Sequence, residues 1–290
     1  MSNLNEISVH SIAFNIIKNN MEYADALKNF CEFGKECVIT INISPEEGDD
    51  GTWDAFNQWK TDNKANNLKL IKCNYSIKDP VWFGRLKNDA LQNTTYNYKC
   101  LFDLDERVPI RDRNKWLYFG KMLQEYNESS FLIPSIDLYG DYYSLRWDDK
   151  NNFAFKWYLH LPGYFRGATN IAIREDGKIN FKVSSTDELL DNNGNHIKCK
   201  YLLSRELSSS LFSREFNQGS LKKYLDFINN EGIFVFHLGY CDLAEKIRIN
   251  KEIWQPYHTL WTGEDEDGLI KNFGDAFCPT YPHGLKLWNE

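Results

Sequence analysis

The chain has 290 residues, 34 Lys and Arg against 41 Asp and Glu, and a formal charge of −7. With 42% hydrophobic and 15% aromatic residues it can bury a large core, which excludes a disordered tail and removes the need for covalent staples. An acidic balance does not supply the net basic face that phosphate backbones require, so nucleic acid is not an expected partner. No apolar run is long enough to span a bilayer and no basic-then-apolar leader opens the sequence, so the expectation is a soluble, cytoplasmic protein. Seven scattered cysteines without a C-x-x-C pair read as reduced, mostly buried thiols.

In chain order, Ile7–Phe14 reads as a strand, and residues 20–33 carry apolar side chains at helical spacing up to Gly34. Residues 37–44 (CVITINIS) form a second expected strand, and Thr52 is placed to cap a helix reaching about Lys60. Residues 68–75 form a third strand, Asp79-Pro80 opens a helix toward Asn93, and residues 99–104 (KCLFDL) form a fourth strand. Strands alternating with helices predict an α/β fold, a mostly parallel sheet with helices on both faces. In such sheets ligands bind beyond the carboxyl ends of the strands. A helix over 114–126 and a strand over 131–139 come next. Short strands lie between 147 and 183, helices over 200–209 and 221–229, a strand over 233–238 and a helix over 242–253. The tail from Pro256 reads as irregular. No linker or repeat interrupts the chain, so residues 1–290 are expected to form one domain with a first half to about 110 and a second half from 111.

The sequence contains no phosphate-loop, dinucleotide, nucleophile-elbow or H-E-x-x-H signature, and three acidic turns containing Gly lack calcium-loop spacing. What remains is Asp103-Leu104-Asp105 at the end of the fourth strand. Residues two apart on a strand share a face, so the two carboxylates are expected to converge. Hard oxygen donors at that place suit Mg²⁺ or Mn²⁺ also held by a diphosphate.

The order of these features resembles glycosyltransferases of the GT-A fold, nearest to inverting family-2-like enzymes. The resemblance rests on Ala13-Phe14-Asn15 after the first strand, and on Asn42-Ile43-Ser44-Pro45-Glu46 followed by Asp50-Gly51-Thr52 after the second. It rests also on Gly84-Arg85-Leu86-Lys87-Asn88-Asp89-Ala90 in the helix before the acidic strand, and on Phe102-Asp103-Leu104-Asp105-Glu106. It covers residues 7–110 well and the rest loosely; an acid pair usual at the second strand is replaced by Asn42-Ile43-Ser44. The resemblance implies Asp105 as principal metal ligand, Asp103 on metal or ribose, and Phe14, Asn15, Asn42, Glu46 and Asn74 around the nucleotide. Arg85 would approach the diphosphate. A late His serves some such enzymes as a further ligand, and His237 after IFVF is the choice, ahead of His258 and His283. Inverting transfer needs a base, for which Asp187 or Glu188 stand first and Asp191 in reserve, although Ser185 with Glu188 also spells a capping box.

The implied activity is metal-dependent transfer from a nucleotide sugar, a UDP-sugar first, to a hydroxyl of a glycan, protein or other acceptor. Trp147, Trp157, Tyr158 and Tyr164 could stack on the acceptor or fill the core. Two other readings compete. An apolar strand ending in D-x-D also describes haloacid-dehalogenase-like phosphohydrolases, but Arg107 stands where that motif wants Thr or Val. A transferase fold kept as a non-catalytic sugar-binding module is the third.

Overall fold

In a computed structural model, residues 4–79 and 81–125 are described continuously. Beyond them the described residues are 130–133, 135–139, 145–146, 169–172, 181–183, 189–191, 193–195, 200–201, 230, 233–240, 248 and 277–278. The elements in the continuous part are β1 (Ile7–Phe14), α1 (Ala24–Phe33), β2 (Glu36–Asn42), α2 (Thr52–Asp62), β3 (Leu68–Cys73), α3 (Trp82–Gln92), β4 (Tyr98–Leu101), β5 (Glu106–Arg107) and α4 (Arg113–Glu125). They are followed by β6 (Ser130–Ile133), β7 (Ser135–Tyr139), β8 (Leu145–Arg146), β9 (Thr169–Ala172) and β10 (Phe181–Val183). The last are β11 (Leu189–Asp191), β12 (Lys200–Tyr201), β13 (Val235–Tyr240) and β14 (Phe277–Cys278).

Strands β4, β1, β2 and β3 are neighbours in that order and all parallel, the centre of a mixed seven-stranded sheet β12-β6-β9-β4-β1-β2-β3. The predicted α/β sheet is therefore present. Because β1 is buried along its whole length, its alternation feeds two cores. Ile7, Val9 and Ala13 join Phe30, Phe33, Phe56 and Trp116 from α1, α2 and α4 on one face. Ile12 and Phe14 join Trp82 and Leu86 of α3 on the other. A second sheet, β14-β8-β7-β13-β5, carries β13 beside β5.

Several boundaries depart from the sequence reading for identifiable reasons. α1 begins at Ala24 rather than at residue 20, because Asn20 has φ of 52° and Met21 N–H closes the preceding loop onto the Ile16 carbonyl. Thr52 is the first helical residue and not the cap. Gly51, at φ 91°, takes that place, and the Thr52 hydroxyl accepts the N–H groups of Ile16 and Ile17 at 2.9 and 3.3 Å. α3 begins at Trp82, and Pro80 lies outside the described residues. The strand expected over 131–139 is two strands in different sheets, β6 and β7, with Pro134, which has no N–H to donate, between them in sequence. Lys200 and Tyr201, expected in a helix, pair with Phe131 and Leu132 as β12. In the tail expected to be irregular, Phe277–Cys278 pairs with β8. The helix over 221–229 and nearly all of 242–253 lie outside the described residues, as do Trp147, Trp157, Tyr158, Tyr164, His258 and His283. Among the described residues, Cys31, Cys37, Cys73 and Cys100 are free thiols and no helix is long and apolar enough to cross a membrane.

The face of the sheet under α3 is unusually polar. Thr40 donates its hydroxyl to the Leu86 carbonyl at 2.9 Å, Lys99 donates to the Tyr96 carbonyl at 2.9 Å, and Lys87 lies 4.4 Å over the Phe83 ring. His10 shares this layer. Burial, reinforced by the charges of Lys99 and Lys87, lowers its pKa to about 3, so it is neutral in the folded protein. Unfolding exposes it to an ordinary value near 6.5, so the unfolded chain gains a proton that the folded chain refuses.

The contribution of His10 is complete above pH ~6.5 and is lost as the pH falls below that value, with a slope approaching about 1.4 kcal/mol per pH unit. Urea unfolding at pH 7 and pH 5 should show this loss in the wild type, and a smaller loss in His10→Leu; equal pH dependence in both would refute the assignment. A Cβ on Gly120 would stand 2.6 Å from the Tyr98 ring, so Gly120→Ala is expected to lower stability by about 1–3 kcal/mol despite the better helix former. Thermal unfolding measures it.

Candidate functional site

The strand order reverses at β1: β2 and β3 lie on one side, β4 on the other. That reversal, at the carboxyl ends of β1 and β4, is where an open α/β sheet leaves a crevice. The acidic motif lies at this end, but not as the sequence suggests. β4 stops at Leu101, and Asp103 and Asp105 belong to a turn beyond it rather than to one face of a strand. Glu106 N–H closes the turn onto the Asp103 carbonyl at 2.9 Å, and the chain then enters the second sheet as β5. Convergence by strand alternation is thus replaced by convergence across two strands. β5 pairs antiparallel with β13, setting His237 opposite Glu106, and Leu238 N–H bonds the Asp105 carbonyl at 2.7 Å.

This register brings His237 Nε2 within 3.2 Å of Asp105 Oδ2. The Asp105 side chain is 36% exposed and that of His237 14%. One hard oxygen and one imidazole nitrogen suit Mn²⁺ or Mg²⁺, with Mn²⁺ the better match to the nitrogen. Among the described residues no group of three or more His, Cys, Asp or Glu side chains could hold a metal ion. Two donors are fewer than a divalent cation takes, so a cation held by this pair would draw its other ligands from elsewhere.

Two neighbours to which the sequence reading gave no site role shape this turn. Glu106 is only 2% exposed, and its Oε2 accepts Asp103 N–H at 2.9 Å. Burial, then the negative charge of Asp103, push its pKa well above the ordinary carboxylate value, against the opposing effect of His237. Arg107 is buried too. It donates to the carbonyls of Leu104 and Glu106 at 2.9 and 2.7 Å and to Asp25 and Glu22 of the α1 region at 2.7 and 2.8 Å. Nothing in the sequence marks this Glu-Arg pair as buried.

The expected nucleotide contacts are mostly engaged within the chain. Phe14 packs edge-on against Trp82 at 5.1 Å in the core under α3, with 7% of its surface exposed. Asn15, at φ 52°, bonds Glu47, which also takes Lys18 at 2.7 Å. Asn42 mimics a β-ladder, accepting Tyr75 N–H at 2.8 Å and donating to the Tyr75 carbonyl at 3.0 Å. Glu46 accepts from the Ser76 hydroxyl and from Ile77 N–H, and the Ser76 bond holds its pKa below the usual value. Asn74 is exposed just beyond β3. Arg85 forms a solvent-facing ion pair with Asp79 at 2.8 Å. Of the expected bases, Asp187 and Glu188 lie outside the described residues. Asp191 ends β11, where its carboxylate accepts the N–H groups of Asn193 and Asn195 and the Asn195 amide at 2.8–2.9 Å. These bonds, the Asn195 amide first, hold its pKa below the ordinary value, which weakens it as a base.

A cleft of about 430 Å³ opens at the opposite end of the sheet, by Lys35, Glu36, Asn67, Lys69 and Thr95. Its polar groups hold the fold: Glu36 takes Ser8 and Thr95, and Asn67 donates to the Cys31 and Gly34 carbonyls. It lies at the other end of β2 and β3 from the loops that follow them.

No protein-family model matches the sequence, and no curated protein matches it. Solved structures do share part of its chain path. S. aureus TarS 1–349 in complex with UDP is 17% identical over 47% of this chain and 37% of its own, with a TM-score of 0.34. A mannosyltransferase from Pyrobaculum calidifontis in complex with GDP-Man and Mn²⁺ is 17% identical over 58% of this chain and 44% of its own, TM-score 0.38. A second structure of TarS 1–349 is 14% identical over 84% of this chain and 64% of its own, TM-score 0.38. The chain thus spans less than two thirds of the length of each.

Proposed function

We propose that the chain is a GT-A-like glycosyltransferase that moves a sugar from a nucleoside-diphosphate sugar, a UDP-sugar first, to an acceptor hydroxyl with inversion. The observation that carries this reading is the Asp105–His237 pair, 132 residues apart in sequence and 3.2 Å apart beyond the carboxyl end of β4. The order of motifs over residues 7–110 supports it. Asp105 and His237 would hold the cation, with the donor diphosphate completing its shell. When bound, the cation offsets the charge that develops on the departing diphosphate.

The chain's own part is to keep these two donors in place and to receive the acceptor proton. Asp187 or Glu188, just before β11, is proposed as that base; Asp191 is demoted by its engagement in the following turn. β10 pairs antiparallel with β11, Phe181 with Asp191 and Val183 with Leu189, and β10 lies against α3. Residues 1–110 form the donor half and 111–290 the acceptor half of one catalytic unit.

UDP with Mn²⁺ should raise the melting temperature of the full chain, by an amount that grows with ligand concentration. Asp105→Asn and His237→Ala should each remove the metal-dependent part of that shift. A UDP-sugar screen that reads released nucleoside diphosphate, with EDTA controls, tests transfer directly. The absence of both a metal-dependent shift and diphosphate release with every nucleotide sugar screened would defeat the reading.

A further inference from the structure

Resting on that reading, we infer that Glu106 is a positioning residue for the cation site, acting as a fixed hydrogen-bond acceptor that sets the acidic turn rather than as a ligand itself. Glu106 stands at the one register position of β5 that faces His237 across the β5–β13 ladder, so it is built into the same pairing that delivers the imidazole. Its Oε2 accepts Asp103 N–H at 2.9 Å, while its own N–H bonds the Asp103 carbonyl at 2.9 Å. Both backbone polar groups of Asp103 are thereby tied to one residue. From the other side Arg107 draws in the Leu104 carbonyl at 2.9 Å and Leu238 N–H draws in that of Asp105 at 2.7 Å. The turn can then present Asp105 to His237 in a single arrangement.

A buried carboxyl is a costly way to bind one N–H. If only a filled volume were needed, an apolar side chain would serve with less desolvation. The side chain is long enough to reach back three residues, and the acceptor is what the Asp103 N–H requires. An aspartate would fall short by one methylene, whereas glutamine offers an oxygen at the same reach.

The test is Mn²⁺ affinity of the full chain in the presence of UDP, read as free Mn²⁺ by electron paramagnetic resonance, with the melting temperature of each metal-free variant measured alongside. Glu106→Gln should bind Mn²⁺ within about 2-fold of wild type. Glu106→Asp and Glu106→Leu should bind about 10–100-fold more weakly, the range typical of residues that orient metal ligands. A purely structural role predicts instead lower melting temperatures with unchanged Mn²⁺ affinity in the fraction that folds, and that result overturns the inference. So does Glu106→Gln binding as poorly as Glu106→Leu, since the carboxylate charge would then be what matters. If wild type binds no Mn²⁺ with UDP, the glycosyl-transfer reading fails and takes this one with it. If wild type binds and all three variants match it, only the role of Glu106 fails.

Discussion

The turn from Asp103 to Glu106 carries the chain from the seven-stranded sheet into the five-stranded one, and its hydrogen bonds constrain what lies at the carboxyl end of β4. Strand β4 belongs to the seven-stranded sheet and β5, five residues later, to the five-stranded one. Between them the chain must change sheets without leaving peptide groups unpaired in a buried place. It does so by bonding Asp103 to Glu106, Leu104 to Arg107 and Asp105 to Leu238. On the proposed reading, a turn so fixed would hold the Asp105 carboxylate in place before a ligand arrives, which is the condition for electrostatic assistance without reorganisation.

That rigidity is obtained with buried charge. The Arg107 side chain is 3% exposed, while its partners Glu22 and Asp25 are 53% and 54% exposed. The arginine is thus the desolvated member, and its two acids keep part of their hydration. Deleting either acid would leave Arg107 bonded to the other and to the Leu104 and Glu106 carbonyls, so its buried charge keeps part of its compensation. The same bonds fasten the start of α1 to the turn, and Asn29 of α1 adds a two-way amide pair with Val108 at 2.8 and 2.9 Å. Packing of α1 against the sheet and placement of Asp105 are therefore one structural problem and not two.

The parallel series was legible because buried strands read as continuous β-branched runs and the helices between them as apolar stripes. Chain breaks were less legible. A strand across Pro134 looked continuous from composition alone, and Lys200–Tyr201 sits in β12 because a neighbouring strand supplies what local helical spacing does not. In the site, Asp105 and His237 stood out as polar residues after apolar runs, although Asp105 lies in a turn beyond β4 and His237 inside β13. Glu106 and Arg107 did not, since nothing in a sequence announces that a charged pair is buried. Thr52 shows the same limit in small: its hydroxyl serves the β1 loop, a partner 35–36 residues away, rather than its own helix.

The strand-end residues also divide by what they have left to offer. Asn42 spends both halves of its amide on Tyr75, Glu46 is taken by Ser76 and Ile77, and Asn15 by Glu47. These bonds tie the loops after β1, β2 and β3 to one another, and Asp50 adds a bond from Lys18 N–H at 2.9 Å. On the proposed reading, a base entering there must either replace such bonds or be met by backbone groups, so side-chain readout of the base comes at the expense of loop structure. At the acidic turn the Asp103 N–H and the carbonyls of Asp103, Leu104 and Asp105 are bonded, and the Asp105 carboxylate, a third exposed, lies 3.2 Å from His237 Nε2. On that reading the diphosphate end of a donor would meet the acidic turn as it stands, while the base end would meet side chains that must rearrange. Opening the Asn42–Tyr75 pair would cost the same for any base, so it would lower affinity without telling one base from another.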